Sequence, residues 1–169
     1  AFPWHECMFH LIDTPGHIDF TAEVERSLRV MDGAAVIFSG VEGVEAQSEK
    51  VWRQADRYRV PKIAFINKLD RVGASFQRVL EEIREKFETT IIPVQKPVGV
   101  EDTFSSVLDL VAMEHVAFSG ENNEEILRSP IPEDMRDAAE EGRAELIEAL
   151  ADESDEVAER YLEGHTLSN

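Results

Sequence analysis

Phe20, Val24, Leu28 and Met31 recur at intervals of four, four and three, a spacing that lays one apolar stripe along a helix. Asp19 or Thr21 caps that helix and Asp32-Gly33 stops it. Residues 34–38 form a short, wholly apolar run, which predicts a strand buried on both faces of a parallel sheet. A second helix over 45–59 turns Val51, Trp52, Ala55 and Tyr58 towards the core. Pro61 restarts the chain as a strand over 62–66, and a third helix over 75–87 carries Phe76, Val79, Leu80, Ile83 and Phe87 on one face. Ahead of these elements, 1–4 read as a strand end, His5-Glu6 as a tight turn and 7–13 as a strand. Alternating strand and helix predicts parallel β-structure with crossover helices on both faces.

The rhythm changes at residue 91. Residues 91–94 are strand-like, and 95–101 contain Pro97 and Gly99 and read as a boundary. The β-branched and aromatic content of 108–118 favours short strands, and 119–125 form a polar loop. Pro132 opens an amphipathic helix with Met135, Ala139, Leu146 and Ile147 inward, and a shorter helix over 155–162 stops at Gly164. Two units follow, 1–95 and 96–169. Charge supports the division, because Asp and Glu crowd 133–163 whereas 24–88 are mixed.

Asp and Glu outnumber Lys and Arg 35 to 17, a formal net charge of −18 that opposes nonspecific contact with nucleic-acid phosphates. No direct grip on nucleic acid is therefore expected. No run approaches the ~18 apolar residues of a membrane span, so no membrane partner is expected either. The single cysteine, Cys7, rules out an internal disulfide and fits a reducing compartment. His5, His10 and His17 lie near it without the repeated close ligand pairs of a zinc site.

The candidate chemistry lies where strands end. The run from Phe9 to His17 breaks from a strand into Asp13-Thr14-Pro15-Gly16-His17. Open α/β sheets bind ligands beyond the carboxyl ends of their strands, where a glycine lets the main chain approach a phosphate and a carboxylate reaches a magnesium ion or its water shell. Thr-Pro-Gly is also an ordinary turn, so the run alone leaves both readings open. The strand over 62–66 empties into Asn67-Lys68-Leu69-Asp70. An aspartate there can accept two hydrogen bonds from the N1–H and exocyclic amine of guanine, a donor pair that adenine lacks. Asn67 can bond the opposite edge of the base, and the stem of Lys68 can cover its face.

Three stretches, 12–32, 47–55 and 66–71, resemble the GTPase domain of the bacterial-type elongation factor G family. Pro130-Ile131-Pro132-Glu133 and Tyr161-Leu162-Glu163-Gly164 resemble the insertion subdomain of that family. The resemblance implies an α/β fold: a partial P-loop-GTPase-like, mostly parallel sheet flanked by helices over 1–95, and a small α+β acidic insertion subdomain over 96–169. It implies that Asp13, Thr14, Pro15 and Gly16 sense the γ-phosphate and the magnesium shell, with Asp13 acting on the metal indirectly. By the same resemblance the helix after Gly16 belongs to the mobile second switch, His17 positions the attacking water, and Asn67, Lys68, Leu69 and Asp70 read guanine. The implied cofactors are GTP or GDP with Mg2+. The implied partners are the ribosome and, through the acidic subdomain, the ribosomal stalk protein, in the bacterial cytoplasm or an organelle matrix.

The departures from the family pattern are specific. No glycine is followed by lysine, so the phosphate-loop pattern GxxxxGK[ST] is absent. The first-switch threonine is missing, as is the Ser-Ala element that backs the guanine, and Ser39 stands where the family has Asp. The expectation is an internal piece of a GTPase whose parent hydrolyses GTP on the ribosome, the piece alone being inactive. A release or ribosome-protection factor shares both nucleotide motifs. A stand-alone protein-binding module that uses the acidic helices is the reading from a different class, and those helices read equally as a solvated charged face.

Overall fold

The computed structural model describes residues 1–13, 21–120 and 125–162. In chain order the elements are β1 (Phe2–Trp4), β2 (Cys7–Phe9), α1 (Thr21–Leu28), β3 (Ala34–Ser39), α2 (Ala46–Arg57), β4 (Lys62–Asn67) and α3 (Phe76–Phe87). There follow β5 (Gln95–Val98), β6 (Ser106–Asp109), β7 (Glu114–Ser119), β8 (Glu125–Pro130), α4 (Arg136–Glu153) and α5 (Asp155–Leu162). The fold is mixed α/β, with a parallel pair flanked by helices and a separate antiparallel sheet.

β3 and β4 pair in parallel register from Ala34↔Lys62 to Ser39↔Asn67, so the two strands end side by side. Side chains alternate across a strand, and here Val36 and Phe38 point to the helices. They pack with Val44, Trp52, Val79 and Ile83, and Phe38 is only 1% exposed. Trp52 stacks on Phe87 with ring centroids 4.5 Å apart, which locks α2 to α3 over the sheet. The serine at position 75 explains where α3 begins: its hydroxyl accepts the N–H of Arg78 at 3.2 Å and satisfies one of the free amides of the first turn. Val24 and Leu28 of α1 pack on Ala55 and Val60, with Met31 and Val51 at the margin.

The opposite face of the pair corrects an expectation. Ile37 is 63% exposed, and its neighbours on that face, Ile63 and Phe65, are 69% and 57% exposed. Among the described residues, helices cover one face of β3 and β4 and not both. An all-apolar run fixes that a strand can be buried on two sides, but it does not supply the second layer.

Other boundaries also move. β2 ends at Phe9 rather than at residue 13, because among the described residues its ladder is with the three residues of β1, Phe2↔Phe9 to Trp4↔Cys7. α1 stops at Leu28, where the Val30 N–H turns back to the Ser27 carbonyl at 3.0 Å. Residues 91–94 form no strand, and the expected boundary at 95–101 begins with β5. Pro97 is tolerated there because β5 is an edge strand, where a missing N–H interrupts no ladder on the open side.

The antiparallel sheet runs in the order β5-β6-β7-β8. β6 and β7 occupy the stretch read as short strands, whereas β8 is a strand that the polar and apolar pattern did not announce. α4 lies against this sheet through Ala139 and Leu146, which pack with Leu108 and Leu110 in a cluster of their own. Pro132 opens a single 3-10 turn that leads into α4, and α5 has the expected bounds. No helix among the described residues is long and apolar enough to cross a membrane.

Candidate functional site

Because β3 and β4 end in register at Ser39 and Asn67, the loops that follow them share one end of the sheet. The Gly40 N–H donates to the Asn67 carbonyl at 2.7 Å, and the Gly40 carbonyl accepts from the Ser75 N–H at 2.9 Å. One residue of the first loop thus ties both ends of the segment 67–75. The approach is close: a Cβ on Gly40 would come within 3.1 Å of the Asn67 carbonyl oxygen and of the Leu69 side chain.

Within the segment the Arg71 N–H returns to the Lys68 carbonyl at 3.2 Å, and Lys68 adopts a left-handed conformation with φ of 60°. Such a φ is uncommon for a residue with a side chain and persists where neighbouring contacts determine it. Asn67, Lys68 and Asp70 are exposed, and Leu69 is half-buried and anchors the turn. The Asp70 carboxylate lies 3.7 Å from the Arg71 guanidinium. An open carboxylate, an amide and a lysine stem at one strand end form a donor and acceptor set that fits a purine edge with two adjacent donors.

The first loop is itself held by α3. Arg78 donates to the carbonyls of Gly40 at 3.0 Å and Val41 at 2.7 Å, and it pairs with Glu82 at 2.8 Å. The Glu82 carboxylate accepts the Val44 N–H at 2.8 Å, and the Lys86 ammonium donates to the Val44 carbonyl at 2.7 Å. That backbone hydrogen bond, with the charge of Arg78 beside it, holds the Glu82 carboxyl below its ordinary range against the opposing effect of burial. Gly43 sits at φ of 75°, and a Cβ there would fall on the Glu82 carboxylate. The Ser39 hydroxyl donates to Glu42, whose carboxylate also faces the Lys68 ammonium at 3.6 Å. Position 39 carries no carboxylate, yet the loop presents one to Lys68.

The structure therefore brings Asn67, Lys68, Leu69 and Asp70 together with a loop over 40–44 that α3 clamps. The signal that could have found the clamp was Arg78, Glu82 and Lys86 at four-residue spacing on one face of α3. Asp13 is exposed and makes no hydrogen bond or ion pair with another described residue. Thr14, Pro15, Gly16 and His17 lie outside the described residues. Among the described residues no group of three or more His, Cys, Asp or Glu side chains is arranged to hold a metal ion.

The family model described as the elongation factor Tu GTP binding domain matches residues 1–158. A crystal structure of a protein from Thermus thermophilus is similar at a TM-score of 0.79 and 27% sequence identity, over 93% of this chain. The chain spans 23% of the length of that protein.

Proposed function

Because the chain belongs to the elongation factor Tu GTP-binding domain family of translational GTPases, we propose that it carries the guanine-reading part of a ribosome-dependent GTP hydrolase resembling elongation factor G. The observation that carries this reading is the seating of Asn67–Asp70 at the carboxyl end of β4 by the backbone of Gly40. Asp70 accepts from the N1–H and exocyclic amine of the base, Asn67 bonds its other edge, and the Lys68 stem covers the ring. Adenine is rejected because its edge would leave the Asp70 carboxylate facing an acceptor.

The phosphate end rests on residues matched by resemblance. Asp13 reaches the magnesium shell, Thr14, Pro15 and Gly16 face the γ-phosphate, and His17 positions the attacking water. Bound Mg2+ supplies neutralisation of phosphate charge, which with positioning carries most of phosphoryl-transfer catalysis. No GxxxxGK[ST] pattern occurs within these 169 residues. The chain alone is therefore inactive in GTP hydrolysis, whereas its parent turns over on the ribosome and promotes translocation, in the cytoplasm.

Residues 1–95 serve as the nucleotide-binding core, and 96–169 as an acidic subdomain that meets the ribosomal stalk protein. The separate apolar cluster around Leu108 and Leu146 and the exposure of Glu140, Glu141 and Glu145 support that division of labour.

A titration with fluorescent GDP and fluorescent XDP tests the base reading, on the chain joined to the phosphate loop of a family member and on its Asp70→Asn variant. Xanthine offers a carbonyl where guanine offers an amine, so the asparagine amide can donate to it. The variant is expected to lose GDP affinity by about a hundredfold, the loss of two charge-assisted hydrogen bonds at about 1.5 kcal/mol each, and to gain XDP. Unchanged preference for GDP would sink the assignment. GTP turnover by the unextended chain would refute its inactivity.

A further inference from the structure

A cavity of about 600 Å³ opens where one side of α3, from Phe76 to Arg84, residues 88–93, the start of β5 and α4 come together. That volume lies within the ~300–1,000 Å³ range of small-molecule pockets. Phe76, Leu80 and Ile92 give it apolar lining.

Its polar groups are unevenly used. Arg84 donates to the Ile91 carbonyl at 3.4 Å. Lys96 is half-buried, and its ammonium has no hydrogen bond or ion pair with another described residue. The reason it can sit there is Gly142, buried on α4: a Cβ at that position would lie 2.9 Å from Lys96 Cε and 3.0 Å from Nζ. The Lys96 ammonium still reaches water, and a ligand carboxylate that enters the cavity can replace that water with a charge-assisted hydrogen bond. Two carboxylates, Glu88 and Glu145, also line the cavity and offset the two cations. A dianion or polyanion is disfavoured by that balance and by the chain's net charge of −18. A monoanion with an apolar body satisfies both the ammonium and the lining.

We propose that this cavity binds small amphipathic carboxylates, with the carboxylate on Lys96 and the apolar body against Phe76, Leu80 and Ile92. Such a ligand touches α3 and α4 at once and ties the acidic subdomain to the helix that follows the reader.

The test is an amide NMR titration of the 169-residue chain with 4-phenylbutyrate, with the neutral 4-phenylbutan-1-ol and with inorganic phosphate. Saturable shifts are expected at residues 89–96 and 145–149, with the acid binding about tenfold tighter than the alcohol through its charge-assisted contact. Lys96→Gln should erase that difference and leave the alcohol unaffected. Should that variant fail to fold, Ala149→Trp, which keeps Lys96 and fills the cavity, should block both compounds. Equal binding of acid and alcohol, a preference that survives Lys96→Gln, binding that survives Ala149→Trp, or shifts that map elsewhere would overturn the proposal. Phosphate binding as tightly as 4-phenylbutyrate would overturn the amphipathic class.

Discussion

Glu82 accepts the N–H of Val44, 38 residues away in sequence, while pairing with Arg78 on its own helix. Its carboxyl titrates below the ordinary value of 4.5 because that backbone hydrogen bond favours the charged form, aided by the Arg78 and Lys86 cations, although burial works the other way. A group whose folded pKa is depressed stabilises the fold above its unfolded pKa and loses that contribution as pH falls through the folded value. Glu82→Ala should therefore cost about 1–2 kcal/mol at neutral pH, since it leaves the Val44 amide unpaired. The difference between the two proteins in urea midpoint should shrink once the pH is taken below 4.5; a pH-independent gap would refute this account. At this scale the run Asn67 to Asp70, proposed to read guanine, stood out because its residues are contiguous and their chemistry is their own. The clamp was not, because it joins side chains of α3 to backbone atoms of a distant loop.

Among the elements, β3 is the centre of the described core, and its helix-facing side chains decide whether α2 and α3 stay attached. Phe38 contacts Trp52 and Phe87 with ring centroids 6.0 and 6.2 Å away. Phe38→Ala should destabilise the chain by about 3–5 kcal/mol, the cost of a large buried cavity, measured by urea unfolding followed through Trp52 emission. A loss under about 1 kcal/mol would mean that the cluster repacks freely. The other face of the same strands makes the opposite prediction. Ile37, Ile63 and Phe65 form an exposed apolar strip flanked by sheet edges, a surface prone to pairing. The chain should self-associate, and Ile63→Thr with Phe65→Thr should raise the monomer fraction in light scattering without lowering stability. Light scattering that reports the same mass for both proteins would dismiss the strip as the cause. Helix positions followed from apolar periodicity, whereas β8 escaped notice because an exposed edge strand with a polar flank carries little pattern.

At the scale of the whole molecule, charge and connectivity matter more than any one contact. The exposed glutamates of α4 lie outside the apolar seam that Ala139 and Leu146 make with the sheet, so their reversal should spare the fold. Glu140→Lys, Glu141→Lys and Glu145→Lys together should weaken capture of ribosomal stalk protein by at least about tenfold at low salt, with a smaller effect at high salt. Undiminished capture would leave the acidic face as a solvated surface. The sequence by itself determined the order of strand and helix through the α/β half, the acidic imbalance and the contiguous run Asn67 to Asp70 proposed to read guanine, since periodicity, composition and contiguous motifs are local properties. Only the tertiary structure decided which face of β3 and β4 is covered, that Pro97 belongs to a strand, and that α3 holds the loop beside the reader. Those outcomes depend on partners brought together across the chain, and a strand or a loop does not encode its neighbour.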